Sequence, residues 1–437
     1  MVIGLAVTLA AVLLVLLLLG FPMKVPLLGA ALVAVLGFDS FEFARVDVLV
    51  QQWITGIQPA ALLAVPMFLL AADLMTRGEA ANRLLDLVTA FVGHLRGGVP
   101  ITTAVSCTLF GALSGSTQAT VVAIGRPLLP RMVAAGYSES FAIALIINAS
   151  DIALLIPPSI GMIVYGVVSG TSIGELFLAG VGPGLLILLL ICGWCALFAR
   201  RLGERPRSRM TWSQRVEALR RALLPLGFPI IVVGGIYSGV FSPTEAAAVS
   251  VLYALVLEVC IFRRVSLQQL SESARSTGLV TAVVFVLVGA GQAFSWVISY
   301  ADIPKLLVEG VLGIGAGSSQ TEVLASVAVA TFVGCMFVDP IVVILILTPI
   351  FAPVAAAAGV DPVLMGTVVT MQVAIGSATP PFGCDIFTAI AIFRRPYLQV
   401  LRGTPPFLFL LLTSAVLVIL FPQIALFLRD LAFARGG

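Results

Sequence analysis

The chain is a succession of long apolar runs separated by short polar connections. A helix that crosses the hydrocarbon of a bilayer needs about 20 mostly apolar residues. Runs of this kind occur at 1–20, 25–38, 59–75, 175–199, 222–240, 243–262, 277–300 and 405–428. Residues 1–20 carry no charge. They lack the basic start and the small-residue cleavage site of a secretory leader, so a retained first helix is expected. Residues 39–58 are polar and amphipathic and are expected to lie at the outer surface. Four further apolar segments do not read as simple crossings. Residues 97–132 have basic side chains at both ends (Arg96, Arg126, Arg131), so both ends belong on one side, as in a re-entrant helical hairpin. Residues 322–358 read as a second hairpin. Residues 138–168 and 362–393 are each interrupted by a Pro-Pro pair, at Pro157-Pro158 and Pro380-Pro381.

Charge orients this pattern, because Lys- and Arg-rich loops stay on the cytoplasmic side. Residues 200–221 hold eight arginines against Glu204 and Glu217 and are placed inside. Counting outward puts 20 of the 24 Lys and Arg inside and four outside (Arg45, Lys305, Arg429, Arg435), with both termini in the periplasm. The expected fold is an all-α polytopic membrane protein of two halves, 1–221 and 222–437. Each half has about five transmembrane helices and one re-entrant hairpin. An odd number of crossings makes the second half inverted relative to the first.

Composition agrees with the bilayer as solvent. Of 437 residues, 60% are hydrophobic and 10% charged, and the mean hydropathy is +1.14. Soluble domains carry about 25% charged residues. A net charge of +3 confined to loops gives no reason to expect nucleic acid. Cys192-Gly-Trp-Cys195 has redox-motif spacing, but it lies inside an apolar run and reads as free thiols. The single histidine, His94, sits in a charged turn. A membrane serine protease would need its histidine in the membrane, no Gly-x-Gly-Asp aspartyl-protease signature is present, and no ATP-binding P-loop occurs. An intramembrane enzyme and a primary pump are therefore disfavoured.

The halves also match locally. Pro130-x3-Ala134-Ala135-Gly136 returns as Pro353-x3-Ala357-Ala358-Gly359, and each glycine precedes its Pro-Pro pair by 21 positions. One offset of 223 aligns all of these and pairs Gly111 with Gly334 near the hairpin tips. Proline removes a backbone donor and breaks a helix. Broken backbone at membrane depth survives only where protein or a watery cavity covers it. Paired broken helices in inverted repeats are a common way for secondary transporters to build a midplane site.

The candidate chemistry gathers at these breaks. The first tip, Gly111, Ser114, Gly115 and Ser116 with Thr117 and Gln118, is rich in hydroxyls and exposed carbonyls suited to Na⁺. Asn148, Ser150 and Asp151 precede the first break, and an intramembrane Asp is a functional hypothesis by default. In the second half the corresponding positions are Gly334 and Asp339 at the hairpin, and Gly376, Ser377 and Thr379 before the break. We therefore take Gly111, Ser114, Gly115, Ser116, Asp151, Gly334, Asp339, Gly376, Ser377 and Thr379 as candidate sodium ligands. Asn148, Ser150, Pro157, Pro158, Pro380 and Pro381 are the candidate substrate contacts. Two unequal cation sites flanking one substrate site are expected. Glu175, Glu245 and Asp361 sit at predicted helix starts, where the helix dipole suffices to explain them. Glu258 is expected to pair with Arg263 or Arg264.

Several motifs in order resemble the large membrane subunit of TRAP (tripartite ATP-independent periplasmic) transporters over nearly the full length. They are Val92-Gly-His-Leu-Arg-Gly-Gly98, Leu113-Ser-Gly-Ser116, Ile156-Pro-Pro-Ser-Ile160, Ala179-Gly-Val-Gly-Pro-Gly184, Ser242-Pro-Thr-Glu-Ala246, Phe337-Val-Asp-Pro340 with Leu347-Thr-Pro349, and Thr379-Pro-Pro-Phe-Gly383. The resemblance implies a Na⁺-coupled, elevator-type importer of small organic acids in the bacterial inner membrane, with a mobile transport domain and a scaffold. It implies no cofactor, with Na⁺ as coupling ion. It implies two partners, a small four-helix membrane subunit and a periplasmic substrate-binding protein, in addition to membrane lipids. The family usually continues the Ser-Gly-Ser tip into Ala-Asp, where this chain has Ala119-Thr120. It usually has small residues before Ile-Pro-Pro, where this chain has Asn148 and Asp151. The rival reading is a stand-alone Na⁺/dicarboxylate or tricarboxylate elevator carrier that needs no binding protein.

Overall fold

A computed structural model describes residues 2–38, 46–202, 208–306, 310, 313 and 318–433. The predicted outer segment therefore falls partly outside the described residues, as do Arg45, Glu204 and Arg435. The described chain is helical, without a strand. The first half comprises α1 (Val2–Leu18), α2 (Lys24–Gly37), α3 (Val46–Ile57), α4 (Ala64–Arg77), α5 (Ala80–Val92), α6 (Gly98–Ser114), α7 (Thr117–Ala134), α8 (Glu139–Ser150), α9 (Ile160–Ser169) and α10 (Ile173–Arg201). The second comprises α11 (Trp212–Tyr237), α12 (Pro243–Leu255), α13 (Leu267–Tyr300), a short α14 (Ile303–Lys305), α15 (Gln320–Cys335), α16 (Pro340–Ala357), α17 (Pro362–Ser377), α18 (Cys384–Phe393), α19 (Tyr397–Leu401), α20 (Pro405–Leu420) and α21 (Gln423–Phe433).

Among the described residues, six helices are long and apolar enough to cross a membrane. A seventh span is possible if α20 and α21, bent by 57°, are counted as one. The predicted runs at 1–20 and 25–38 form helices of only 17 and 14 residues. The segments 138–168 and 362–393 are each divided, so neither contains one long helix.

The offset of 223 extends to helix boundaries. Adding 223 to the ends of α7 (117 and 134) gives 340 and 357, the ends of α16. The start of α8 maps onto the start of α17, since 139 + 223 = 362. The same signals set these boundaries in both halves. Ser116 and Asp339 are N-caps, accepting from Ala119 N and Ile341 N. A side-chain oxygen at this position satisfies an otherwise orphaned helix amide.

The molecule's centre is formed by α8 and α17. Every residue from Phe141 to Ser150 and from Val363 to Ser377 is buried. Helices apolar on all sides belong in such a position. Against α8 pack α6 and α7, and against α17 pack α15 and α16. Around this bundle lie α2, α3, α4, α11, α12 and the long α13. Their outward side chains, such as Leu223, Ile230, Leu252, Leu279 and Val283, are apolar and exposed, as a lipid-facing surface requires. Polar loops end in capping boxes at Thr211/Gln214, Ser242/Glu245, Ser266/Gln269 and Ser319/Glu322, which fix where four of the helices begin.

Glu258 departs from the expected pairing. Its carboxylate accepts from the amides of Glu79 and Ala80, both at 2.9 Å, and so caps α5. It occupies the space where a Cβ on Gly78 would lie. Arg264 instead meets Glu79 at 3.6 Å. The free amides at a helix start are the better partner because burial removes the water that would otherwise serve them.

Candidate functional site

The first tip is a two-residue reversal between α6 and α7. Gly115 has φ +60°, and a Cβ there would lie 2.2 Å from the Pro158 carbonyl oxygen. Only glycine allows both this backbone and this approach. The Gly115 carbonyl in turn accepts from Ile160 N at 3.3 Å. The tip is thus seated on the Pro157-Pro158 break. Within it, Thr120 Oγ1 donates to the Ser116 carbonyl at 2.8 Å and lies 3.0 Å from Ser114 Oγ. Thr120 therefore serves to tie the turn.

The second tip repeats the arrangement with different residues. The Met336 carbonyl accepts from Phe382 N at 3.0 Å, seating this tip on the Pro380-Pro381 break. Asp339 accepts from Ile341 N at 2.9 Å. Both Pro-Pro bonds are cis.

Asp385 joins the two halves, and it was not among the residues singled out from sequence. It lies in the first turn of α18, fully buried. Thr117 of the first tip donates to Oδ1 at 2.8 Å. Ser377, just before the second break, donates to Oδ2 at 2.6 Å. An acid inside the apolar run 384–393 is the same signal that drew attention to Asp151.

Asp151 is equally buried, at the junction of α8 with a 3-10 turn (Asp151–Leu154), and neither of its carboxylate oxygens has a partner. Asn148 Nδ2 donates to the Ala144 carbonyl at 2.8 Å, while its Oδ1 has no partner. Among the described residues, none of Asp151, Asp339 and Asp385 lies in an ion pair. The ion pairs that form, such as Arg77–Asp73 and Arg429–Asp361, are elsewhere. Two buried carboxylates, Asp151 and Asp385, and the half-buried Asp339, all without a protein cation, form an environment suited to a bound cation or to protons.

The other predicted site residues distribute as follows. Gly111 and Gly334 lie inside α6 and α15, not in the turns. The Gly111 Cα faces Ala153, and Gly376 packs on Cys335 and the Phe332 carbonyl, so both glycines permit close helix approach. Ser150 donates back to the Ile146 carbonyl at 2.7 Å and lies 3.8 Å from Cys107. Thr379 likewise donates to the Ile375 carbonyl at 2.6 Å. Among the described residues no three His, Cys, Asp or Glu side chains form a metal cluster. Ligands for a hard monovalent ion would have to come from the tip hydroxyls, carbonyls and isolated carboxylates.

Both tips border one cavity of about 490 Å³. Gly115, Ser116, Thr117 and Gln118 line it from the first tip, and Asp339 and Pro340 from the second. Its opposite wall is apolar and comes from the surrounding helices, through Met23, Leu69 and residues of α13.

The profile of the family described as "Tripartite ATP-independent periplasmic transporter, DctM component" matches residues 10–424. The ectoine/5-hydroxyectoine TRAP transporter large permease protein UehC of Ruegeria pomeroyi is 61% identical over 98% of this chain and 100% of its own length. The ectoine TRAP transporter large permease protein TeaC of Halomonas elongata is 61% identical over 96% of this chain and 97% of its own. The C4-dicarboxylate TRAP transporter large permease protein DctM of Pseudomonas aeruginosa is 36% identical over 84% and 86%. In fold, the chain is similar to the YdaH transporter of Alcanivorax borkumensis, with a TM-score of 0.56 and 18% identity over 89% of this chain and 90% of that one. A multi-pass inner-membrane chain with two hairpin-like tips meeting at one cavity, and with this profile along almost its whole length, belongs to the large permease component of the tripartite ATP-independent periplasmic transporters.

Proposed function

We propose that this permease imports a small organic acid with Na⁺, by an elevator movement of the bundle α6–α9 with α15–α18 against the surrounding helices, and that ectoine or its hydroxylated derivative is the substrate. The observation that carries the reading is the shared cavity. Two tips, each seated on its own broken helix, face one space whose far wall belongs to the outer helices. A bundle bearing the polar lining of the cavity, beside an apolar wall, is the arrangement a sliding carrier needs. The relatives at 61% identity transport ectoine. Ectoine carries one carboxylate and one cationic amidine, so it differs from a dicarboxylate by replacing one anion with a cation. Loss of the usual acid at Thr120 and its gain at Asp151 moves a negative charge within the same region. The distribution of Lys and Arg supports two halves inverted in the membrane with both termini periplasmic. A small membrane subunit and a periplasmic binding protein complete the transporter.

Reconstitution of this chain with its small subunit into liposomes tests the reading. Ectoine uptake should require an inward Na⁺ gradient and the binding protein, and excess C4-dicarboxylate should not compete. Ion-independent uptake would sink the coupling. Full-rate uptake without the binding protein would favour the stand-alone carrier. For Asp151→Asn, the apparent Na⁺ constant should rise, whereas an unchanged Na⁺ dependence would leave Asp151 a structural residue.

A further inference from the structure

We propose that a cavity between α5, α6, α7 and residues 208–210 holds the phosphate and glycerol region of one anionic phospholipid from the leaflet on the Arg-rich side. The cavity has a volume of about 340 Å³. Its walls are largely apolar, from Ala90, Val99, Leu128 and Ala134, while its polar side carries His94 and Arg131. Among the described residues no Asp or Glu lines it. Arg215 adds a further positive group. Its guanidinium reaches His94 Nδ1 at 3.5 Å and stands 6.0 Å from the Phe91 ring, yet its Nε is buried without a partner. Among the described residues, neither Arg131, Arg209 nor Arg215 forms an ion pair.

A second observation is independent of charge. Thr102 lines the cavity, is only 4% exposed, and its hydroxyl has no partner. Other helical threonines nearby, Thr89, Thr103 and Thr108, donate to the carbonyl four residues back. Thr102 lies about one turn inside α6, on the same cavity as Arg131, so that an ester oxygen beyond the phosphate would meet it. A buried hydroxyl left open in an apolar wall costs free energy unless something meets it. A free phosphate would gain from the arginines but not from the apolar wall. A lipid with a zwitterionic headgroup would gain from the wall but less from the arginines. Basic pockets among membrane helices on this side are where anionic headgroups bind. The exposed Phe91, Leu95 and Val133 adjoin the lining in sequence and offer surface for the acyl chains. His94 reports on the site. Its imidazole is pushed below the ordinary value by burial and by the Arg215 and Arg209 charges. A phosphate beside it would act in the opposite sense.

The test uses the delipidated membrane complex of this chain with its small subunit. Phosphatidylglycerol, phosphatidylcholine and free glycerol phosphate are each added, and bound lipid is counted by native mass spectrometry. The His94 titration is followed by NMR, assigned by its loss in His94→Gln. Phosphatidylglycerol should bind with about tenfold preference over phosphatidylcholine and raise the His94 midpoint. Arg131→Gln/Arg215→Gln should erase the preference, Thr102→Val should weaken retention, and Arg275→Gln/Arg402→Gln should leave both unchanged. Equal binding of the two lipids, or a preference that survives the Arg131/Arg215 change, overturns the proposal. So does glycerol phosphate shifting His94 as far as the lipid does, which would assign the site to a free anion. If the double variant does not assemble, Thr102→Val and the wild-type His94 titration decide alone.

Discussion

Gly115→Ala is the sharpest test of the seat between the first tip and the first break. Two costs arise. An L-residue held at φ +60° costs about 1–2 kcal/mol relative to glycine. In addition, the new Cβ would lie 2.2 Å from the Pro158 oxygen, where real Cβ contacts begin at 3.0 Å, so the backbones must part by about 0.8 Å. Both sides of that contact are main chain, and such overpacking costs about 1–3 kcal/mol. Gly136→Ala supplies the control. Its φ is +92°, but no atom lies within 4 Å of its Cβ position. It bears a positive-φ cost at least as large as the first, without the second. The difference between the two variants, about 1–3 kcal/mol, is therefore the loss in seating the tip, equivalent to roughly 5- to 150-fold in the equilibrium between seated and unseated tip and to at most that factor in the seated fraction. A ligand that binds only the seated form loses apparent affinity by the same fraction. Na⁺-dependent uptake in liposomes should show an apparent Na⁺ constant raised by up to about 150-fold, and by more than about twofold, in Gly115→Ala and within about twofold of wild type in Gly136→Ala. If both variants share the wild-type Na⁺ dependence, the tip carbonyl and its seat have no part in ion binding.

Three further outcomes are expected. A double-mutant cycle of Asp385→Asn with Thr117→Val should give a coupling of about 1.5–3 kcal/mol in thermal or denaturant unfolding of the purified complex, because the hydroxyl donates to a buried carboxylate. Additive effects would mean that the two halves are not joined there. Glu258→Ala should destabilise by about 1–3 kcal/mol by leaving the Glu79 and Ala80 amides open, while Glu258→Gln keeps an acceptor and should cost less. Equal losses would refute the capping role. For His94 the folded state holds the imidazole below its usual 6.5, through burial and the Arg215 and Arg209 charges. As pH falls below 6.5 the unfolded chain takes up a proton that the folded chain resists, so His94 costs stability in that direction. Melting of lipid-free protein should fall more steeply in acid for wild type than for His94→Gln, and parallel curves would contradict the shift.

The tips and breaks were legible from sequence because they are breaches of a strong local rule. In an apolar chain of this length, Pro157-Pro158 and Pro380-Pro381 interrupt the helical pattern, and a shared offset of 223 marks them as equivalent. The structure extends that offset to the ends of α7 and α16, since N-cap side chains and following prolines are themselves local signals. What sequence could not supply was the partner across the bundle. Glu258 stands near Arg263 and Arg264 in the chain, yet its carboxylate reaches the start of α5, because a buried helix end offers two fixed donors while the arginines reach water. Asp385 gives the same sequence signal as Asp151, an acid in an apolar run, and lies three residues past Thr379-Pro-Pro-Phe382. Only the fold shows that Thr117 from one half and Ser377 from the other converge on it. The contrast between these acids then follows from their partners. Asp385 is held by two hydroxyls and ties the halves together, whereas Asp151 has two empty oxygens in the same buried region. A carboxylate already committed to structure has little left for a travelling ion, and one left open has everything. Under the proposed Na⁺-coupled reading, the charge that balances substrate and Na⁺ is assigned to Asp151, whose two open oxygens distinguish it from Asp385.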